Sequence, residues 1–283
     1  MTAVKNDARR VFLKKGTCSQ TLCYLLDREF GHVKENEERA TDPLAGGIIQ
    51  KGHQCGMLWG SALAAGAESF RRHENRDQAI GMAITATQNL TGSFTKRTNT
   101  VNCREITGCD WTSPASIVKY FLTGRIFTCF NLTAKWAPEA IRAATAGLSR
   151  DQKDLLEQPL SCASEVIRLM GGTDEEMVMV AGFAGGIGLS GNGCGALAAA
   201  IWMHTLAWCK EHPGETPPMF KNPETKNIFQ AFTAATHAEI LCHKITGRQF
   251  KSINEHTEFI KSGGCDKLIR VLARSQATAT ESN

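Results

Sequence analysis

Hydrophobic positions recur with a helical period along most of the chain. Between Gly195 and Lys210 the apolar residues follow a 3.6-residue spacing over a broad face, which predicts a buried helix. Pro213 and Gly214 come next and are expected to end that helix. The stretch from Ile228 to Ile245 has the same pattern and predicts a second long helix.

Shorter helices are predicted elsewhere, and strands are not. Residues 139–146 are rich in Ala, and Pro138 suits the first helical position just before them. Residues 175–180 run into a glycine cluster that would end a helix, and apolar faces at 118–122 and at Ile260 predict matching final helices. Convincing apolar–polar alternation is absent, as are Asn-Gly or Asp-Gly pairs between apolar runs, so the pattern predicts an all-α fold.

The sequence contains an internal repeat. Residues 45–48 and 184–187 both read Ala-Gly-Gly-Ile, and Cys55 and Cys194, each followed by Gly, have the same separation of 139 residues. Cys103 and Cys242 each begin the pattern C-x-x-I-T-G and are also 139 residues apart. Two blocks nearly fifty residues apart keep one register, which indicates a duplicated module rather than chance similarity in Gly- and Ala-rich sequence.

Two further cysteine pairs complete the repeat with small shifts. Cys18 matches Cys162 at a separation of 144 residues, and Cys129 matches Cys265 with three residues lost before the second. We therefore expect two similar helical modules, residues 1–150 and 151–283, packed about a pseudo-two-fold axis. The repeated cysteines are Cys18, Cys55, Cys103 and Cys129 in the first half, and Cys162, Cys194, Cys242 and Cys265 in the second.

Composition and charge are those of an ordinary globular chain. Of 283 residues, 42% are hydrophobic and 21% are charged, so disorder is not expected. The net charge of +4 is too small to indicate nucleic-acid binding. The first sixteen residues hold no apolar stretch long enough for a signal peptide, and no apolar run approaches the ~18 residues of a membrane span. We expect a soluble, cytoplasmic protein, and a homo-oligomer is compatible with this.

Eleven cysteines are the unusual feature of the composition. Without an export signal they indicate metal binding, catalysis or redox sensing rather than a disulfide framework. No C-x-x-C pair occurs, which excludes thioredoxin-type, zinc-ribbon and haem-attachment motifs. Successive repeated cysteines within a half are 23 to 48 residues apart, so they form a site only where several helices converge.

The repeated cysteines stand where helices are expected to begin. Thr17 and Ser161 are good N-cap residues, and each directly precedes a repeated cysteine, as Asn102 does. A thiol in the first turn of a helix experiences the positive end of the helix dipole and several free N–H groups. We therefore expect a thiol pKa below its usual value of about 8.5, with thiolate available for metal binding or disulfide attack.

Other candidates are weaker. Cys23, Cys109 and Cys209 have no counterpart in the other half and are expected to be core residues. His53 and His243 lie near repeated cysteines in one half only, and we expect them to be surface or capping residues. The glycine-rich run at 182–193 lacks the Gly-Lys-Ser/Thr of a phosphate loop, so nucleotide binding is not expected there.

The order of these cysteines resembles the C-GCAxxG-C-C family, which is described as redox-active. Family members have about half this length, with four cysteines and a CGAxxG element. That element is similar to residues 55–60, Cys-Gly-Met-Leu-Trp-Gly, and to residues 194–199, Cys-Gly-Ala-Leu-Ala-Ala. Met57 replaces the family's Ala and Ala199 its Gly; both add bulk that is expected to narrow access, and neither removes a thiol.

The resemblance implies redox activity without naming a reaction. A related helical module occurs in split-Soret-type cytochromes, where an iron–sulfur cluster accompanies haem. By that resemblance, the eight repeated cysteines would be metal ligands that bind the cofactor, with one iron–sulfur cluster of unspecified type per half or ligands shared across the halves. The chain would then transfer electrons with an unidentified donor or acceptor, or act as an oxidoreductase on a bound substrate.

Two other functions stay open at this point. A thiol–disulfide oxidoreductase or redox sensor needs cysteine pairs whose Cα atoms lie within about 7 Å. A binding module for copper or zinc would use the same thiolates on a soft metal. A purely structural role for the eight cysteines is the remaining alternative.

Overall fold

The computed structural model describes residues 7–149, 158–218 and 223–275, and within these ranges the chain is helical with no β-sheet. The first half forms α1 Ala8–Lys15, α2 Cys18–Phe30, α3 Glu35–Arg39, α4 Gly56–Arg72, α5 Arg76–Thr98, α6 Cys103–Thr107, α7 Pro114–Leu122 and α8 Ile126–Leu148. The second half forms α9 Cys162–Leu169, α10 Asp174–Met179, α11 Gly195–Glu211, α12 Pro223–Thr236, α13 Cys242–Thr246, α14 Ile253–Lys261 and α15 Asp266–Arg274. The predicted all-α fold of two similar helical modules is confirmed.

The helices of the two halves correspond in sequence order. Short 3₁₀ helices at Asp42–Leu44 and Ala181–Phe183 follow α3 and α10, and the long buried helices α4 and α11 come after them. The halves differ in length at two places: α2 has 13 residues against 8 in α9, and α8 has 23 against 9 in α15. The predicted boundary between residues 150 and 151 lies outside the described residues and stays a prediction.

The two halves pack reciprocally. Helix α4 packs against α10, and its counterpart α11 packs against α3, the counterpart of α10. Trp59 of α4 meets Phe183 edge-to-face, with ring centroids 4.9 Å apart, and the indole of Trp202 in α11 donates a hydrogen bond to Glu37 O. An edge-to-face aromatic pair contributes about 0.5–1.5 kcal/mol beyond its burial. Contacts exchanged in both directions between equivalent helices are those of a pseudo-two-fold arrangement.

Most of the predicted helices form, with three corrections. Residues 118–122 and Ile260 lie in α7 and α14, which match each other but are followed by α8 and α15, so they are not the final helices of their halves. The buried helix predicted at Gly195–Lys210 is α11, and it ends before Pro213. The long helix predicted at 228–245 is wrong, because α12 ends at Thr236 and α13 begins at Cys242. His237 and Ala238 adopt positive φ angles of 52° and 63° between them. Both helices present apolar residues to the same core, so the periodic pattern continues across the break.

The predicted helix start at Pro138 is also wrong. Pro138 lies inside α8, which runs from Ile126 to Leu148 without interruption. Proline removes one hydrogen bond from a helix interior and costs about 3 kcal/mol there. Helix α8 packs along α5, and this tertiary packing offsets the loss.

None of the helices in the described ranges combines the length and the hydropathy that a membrane crossing requires.

Candidate functional site

The four repeated cysteines of the first half line one cavity of about 240 Å³. Cys18 is the first residue of α2, Cys55 is the N-cap of α4, and Cys103 is the first residue of α6. Cys129 lies in the first turn of α8. Four helices therefore bring together residues that are far apart in the sequence.

The second half repeats this arrangement in a tighter form. Cys162, Cys194, Cys242 and Cys265 line a cavity of about 10 Å³. Three of them are the first residue or N-cap of α9, α11 and α13, and Cys265 is the N-cap of α15. Each half thus has its own set of four cysteines, and neither cavity is lined by cysteines from both halves.

In each half, the segments that contain two of the cysteines pair with each other through backbone hydrogen bonds. The N–H of Cys55 donates to Val101 O at 2.8 Å, and the N–H of Cys103 donates to His53 O at 2.6 Å. The second half has the same pair, in which Cys194 and Cys242 donate to Ile240 O and Asn192 O at 2.9 and 2.6 Å. An isolated antiparallel bridge lies at each position. This pairing brings two distant sequence blocks side by side in each half.

The Ala-Gly-Gly-Ile segment forms a left-handed turn in both halves. Residues 46–50 all have positive φ angles, between 50° and 81°, and residues 185–189 do so between 59° and 80°. Non-glycine residues in this conformation cost about 1–2 kcal/mol each. The turn is held by hydrogen bonds such as Gly52 N–H to Gly46 O at 2.9 Å and His53 N–H to Gly47 O at 3.0 Å.

This turn and the helix starts direct backbone N–H groups at one sulfur in each half. Backbone N–H groups of Gly46, Cys18 and Ser19 act to lower the pKa of the Cys18 thiol, and those of Gly185, Ala163, Cys162 and Ala196 act in the same direction on the Cys162 thiol. Such a set of N–H groups stabilises an anion. Gly56, which follows Cys55, leaves space for this sulfur, because a Cβ at Gly56 would lie 2.8 Å from the Cys18 sulfur.

The expectation of lowered thiol pKa values is met only at Cys18. The Cys55 thiol and the surrounding N–H groups lower the pKa of Cys18 against the effect of burial. The pKa of Cys55 is raised by Cys18 and by burial, and burial raises the pKa of Cys129 and of Cys194 to about 12. Burial also raises the pKa of Cys103, Cys162, Cys242 and Cys265. Desolvation therefore outweighs the helix dipole at six of the eight thiols, and at a seventh, Cys55, the neighbouring Cys18 has the largest effect.

Sequence reasoning missed several residues that line these cavities. The Tyr120 hydroxyl donates a hydrogen bond to the Cys129 sulfur at 3.3 Å. Trp111 and Gln50 line the first cavity; Trp111 interacts with the Cys103 thiol and lowers its pKa against the effect of burial, and Gln50 Nε2 is buried without a hydrogen-bond partner. In the repeat register these three positions become Phe259, Phe250 and Leu189 in the second half. The sequence signal for these three residues was that the second half has apolar side chains at their positions, within segments that otherwise match.

A histidine lines the second cavity. His256 is buried beside Phe250, and its Nδ1 lies 3.1 Å from Leu160 O, where it can donate. Burial lowers the pKa of His256 to about 4, so the ring is neutral at physiological pH. The corresponding residue in the first cavity is Ile117. The two sites therefore share their cysteines and differ in the walls around them.

The remaining cysteines and histidines named from the sequence line neither cavity. Cys23, Cys109 and Cys209 are fully buried and line neither cavity. Cys23 donates to Asp27 Oδ2 at 3.6 Å. His53 contributes its backbone carbonyl to the bridge described above, and His243 contacts Gly191 O through Nδ1 at 2.7 Å. Met57 lines the first cavity, which is nonetheless the larger of the two.

In the described ranges, no three His, Cys, Asp or Glu side chains lie close enough together to hold one ion.

The comparison with protein families finds one match, present twice. The sequence model described as "Putative redox-active protein (C_GCAxxG_C_C)" matches residues 17–140 and 160–278. Each matched segment contains one set of four repeated cysteines. No curated protein and no solved structure matches the chain.

Proposed function

The chain belongs to the C-GCAxxG-C-C family, and we propose that it binds iron–sulfur clusters through the four repeated cysteines of each half. The observation that supports this best is the convergence of four cysteines from four helices on one cavity, in both halves. Cysteine thiolates are the usual protein ligands of such clusters. The chain would serve in electron transfer or in reductive chemistry, with an unidentified electron donor or acceptor.

The residues of the first half fit such a group. Their cavity of about 240 Å³ leaves room between the cysteines for more than a single ion. Four thiolates make a cluster net negative, and the N–H groups around the Cys18 sulfur would stabilise that charge. The second half has the same donors, but its cavity of about 10 Å³ must widen before it admits a cluster.

The raised thiol pKa values agree with a site that ionises only on loading. Four buried thiols close together resist ionisation, because burial raises the pKa of each and every thiolate raises the pKa of its neighbours further. A metal cation removes this penalty, so loading would release protons. A bound cluster would supply one-electron transfer. The chain would exclude water through its apolar walls and donate one hydrogen bond to a ligand sulfur through Tyr120.

One observation favours thiol–disulfide chemistry as a second candidate. The Cys18 and Cys55 thiols are near enough to shift each other's pKa, and the pKa of Cys18 is lowered while that of Cys55 is raised. A thiol pair in which one member ionises more easily is the arrangement of a disulfide oxidoreductase. This function would need no metal, and oxidation would remove thiols in pairs.

The test is to purify the protein without oxygen, record its visible spectrum, and assay iron and acid-labile sulfide on the same sample. We expect broad visible absorbance with comparable amounts of iron and sulfide. Colourless protein without iron or sulfide, after reconstitution has also failed, would reject the cluster. Titration of thiols before and after oxidation then decides for or against disulfide chemistry, and metal without sulfide would indicate a copper or zinc module.

A further inference from the structure

Part of the molecular surface beside the first cysteine site is apolar. Val118, Phe121 and Leu122 are 56%, 53% and 82% exposed, and their spacing of three and four residues places them on one side of α7. Phe127 is 65% exposed, and its ring lies against the turn between α7 and α8, since a Cβ at Gly124 would be 3.4 Å from it. We call these four exposed apolar side chains the α7 face. Large apolar side chains grouped in water are typical of an interaction surface.

The α7 face lies next to a candidate ligand of the first site. Phe121 also lines the cysteine cavity, and its ring meets that of Tyr120 with centroids 5.3 Å apart. The Tyr120 hydroxyl in turn donates to the Cys129 sulfur at 3.3 Å. One aromatic side chain therefore separates the exposed face from a cysteine of the site. An electron that enters or leaves a buried cluster has a short route at this face.

The charged residues around the α7 face are basic. Between residues 111 and 138 the sequence contains Lys119, Arg125 and Lys135 and no Asp or Glu, and all three side chains are exposed. The acidic residues at the two ends of this segment are already paired with arginines. A partner that covers the face should therefore carry negative charge around an apolar centre. A second copy of this chain would bring like charges together instead.

The equivalent surface of the second half has a different character. In the repeat register Lys119 corresponds to Glu258 and Leu122 to Lys261, and these two second-half residues form an ion pair at 3.8 Å. The helical module therefore does not require an apolar, basic surface on this helix. The α7 face is a property of the first half alone.

We propose that the α7 face docks an acidic one-electron carrier protein, so that this partner exchanges electrons with the first site. One electron would cross between the partner's redox centre and the first cluster, and one centre is oxidised as the other is reduced. Complexes of this kind bury small interfaces, so a few apolar side chains surrounded by charge are sufficient. The proposal names the partner class of the cluster site and rests on the proposed function.

The test measures docking separately from electron transfer. The probe is a plant-type ferredoxin, an acidic protein, in its redox-inert gallium-substituted form, and isothermal titration calorimetry measures its binding. We expect one probe per chain, with affinity that falls as salt is added. Lys119→Glu, which installs the second-half residue, should weaken binding about tenfold at low salt and much less at high salt. Leu122→Ala should weaken it about fivefold at every salt concentration, because apolar contact is lost.

A matched control makes the same change of charge elsewhere. Lys267 is exposed on α15 of the second half, and Lys267→Glu should leave binding unchanged. Absence of binding, equal binding by all variants, or equally tight binding of a basic cytochrome c would overturn the proposal. It would also be overturned if phosphatidylserine vesicles or self-association, rather than the ferredoxin, depended on Leu122. Those two results would assign the face to a membrane or to a second copy.

Electron transfer is then measured in reconstituted protein. In Cys194→Ala, which keeps all four cysteines of the first half only, reduced native ferredoxin should reduce the cluster in a stopped-flow experiment. Adding Lys119→Glu should slow this step about tenfold at low salt. Iron and sulfide are assayed on the same samples. Docking without a cluster would reject the proposed function and leave the face standing, whereas a loaded cluster without docking would reject the face alone.

Discussion

The hydrogen bond from Tyr120 to the Cys129 sulfur is a difference between the sites that one substitution can remove. A donor to a ligand sulfur stabilises the reduced cluster, which carries more negative charge, and so raises its reduction potential. In Tyr120→Phe we expect the first cluster's potential to fall by on the order of 20–60 mV, since a hydrogen bond contributes about 0.5–1.5 kcal/mol. A redox titration followed by electron paramagnetic resonance measures the shift.

The second half provides the matched control. Phe259 occupies the position of Tyr120, and Phe259→Tyr leaves the first site untouched. The first cluster's potential should stay constant in this variant. An unchanged potential in Tyr120→Phe would mean that the hydroxyl does not act on the cluster.

A substitution at Gly56 tests the close packing around the Cys18 sulfur. A Cβ at this position would lie 2.8 Å from that sulfur and 3.0 Å from Ala45 Cα. Gly56→Ala should lower the free energy of unfolding by about 1–3 kcal/mol and reduce bound iron in the first half. Urea denaturation and an iron assay measure the two effects. Gly92→Ala, on an exposed helical surface with no neighbour within 4 Å, should instead stabilise by about 0.5–1 kcal/mol; equal behaviour of both variants would contradict the packing argument.

At the scale of elements, two effects oppose a side chain in the left-handed turn before α4: strain at positive φ and close contact with neighbouring atoms. Two glycine substitutions can separate these effects. A Cβ at Gly47 would lie 2.4 Å from His53 N and 2.5 Å from His53 O, both backbone atoms that cannot move aside easily. Gly47→Ala should therefore cost at least about 3 kcal/mol of unfolding free energy and abolish loading of the first site. Chemical denaturation and cluster content provide the measurement.

Gly31 is the control for this turn. It also has a positive φ, 88°, but nothing lies within 4 Å of the position its Cβ would take. Gly31→Ala should lower the free energy of unfolding by only about 1–2 kcal/mol, because a non-glycine residue is strained at positive φ, and should leave loading intact. If Gly47→Ala lowers the free energy of unfolding by no more than Gly31→Ala does, close contact with His53 does not destabilise the variant.

The same elements show how far sequence patterns reach. The apolar spacing predicted α11, because a buried helix needs apolar residues on most of its faces. It did not predict the end of α12, since the turn at His237 and Ala238 uses residues without a breaker signal. It also missed the left-handed turn at residues 46–50, in which three non-glycine residues adopt an unfavourable conformation that hydrogen bonds within the loop stabilise.

At the scale of the whole molecule, duplication made the site predictable and its walls unpredictable. The cysteines could be found because both halves retain them in order. Tyr120 and Trp111 could not be identified in this way, since each is present in one half only and reaches the cavity through folding of α7 and the loop before it. Comparison of the halves thus detects the residues that both retain, such as the cysteines. Function at one site also depends on residues that only one half has.

This asymmetry predicts the order in which the two sites load. Both have four cysteines, but the first has a cavity of about 240 Å³ and the second must open from about 10 Å³. With iron and sulfide limiting, the first site should fill before the second. Cys55→Ala and Cys194→Ala remove the corresponding N-cap cysteine from each half.

Reconstitution of these two variants with increasing iron and sulfide separates the sites. Cys194→Ala should keep the first equivalent of cluster absorbance, whereas Cys55→Ala should lose it and load only at higher iron. Opening the second site disrupts packing, whereas the first site is already open. This difference shifts the loading midpoint of the second site to higher iron. Identical loading curves for the two variants would mean that the second cavity opens at no cost, so that the difference in volume has no bearing on cluster binding.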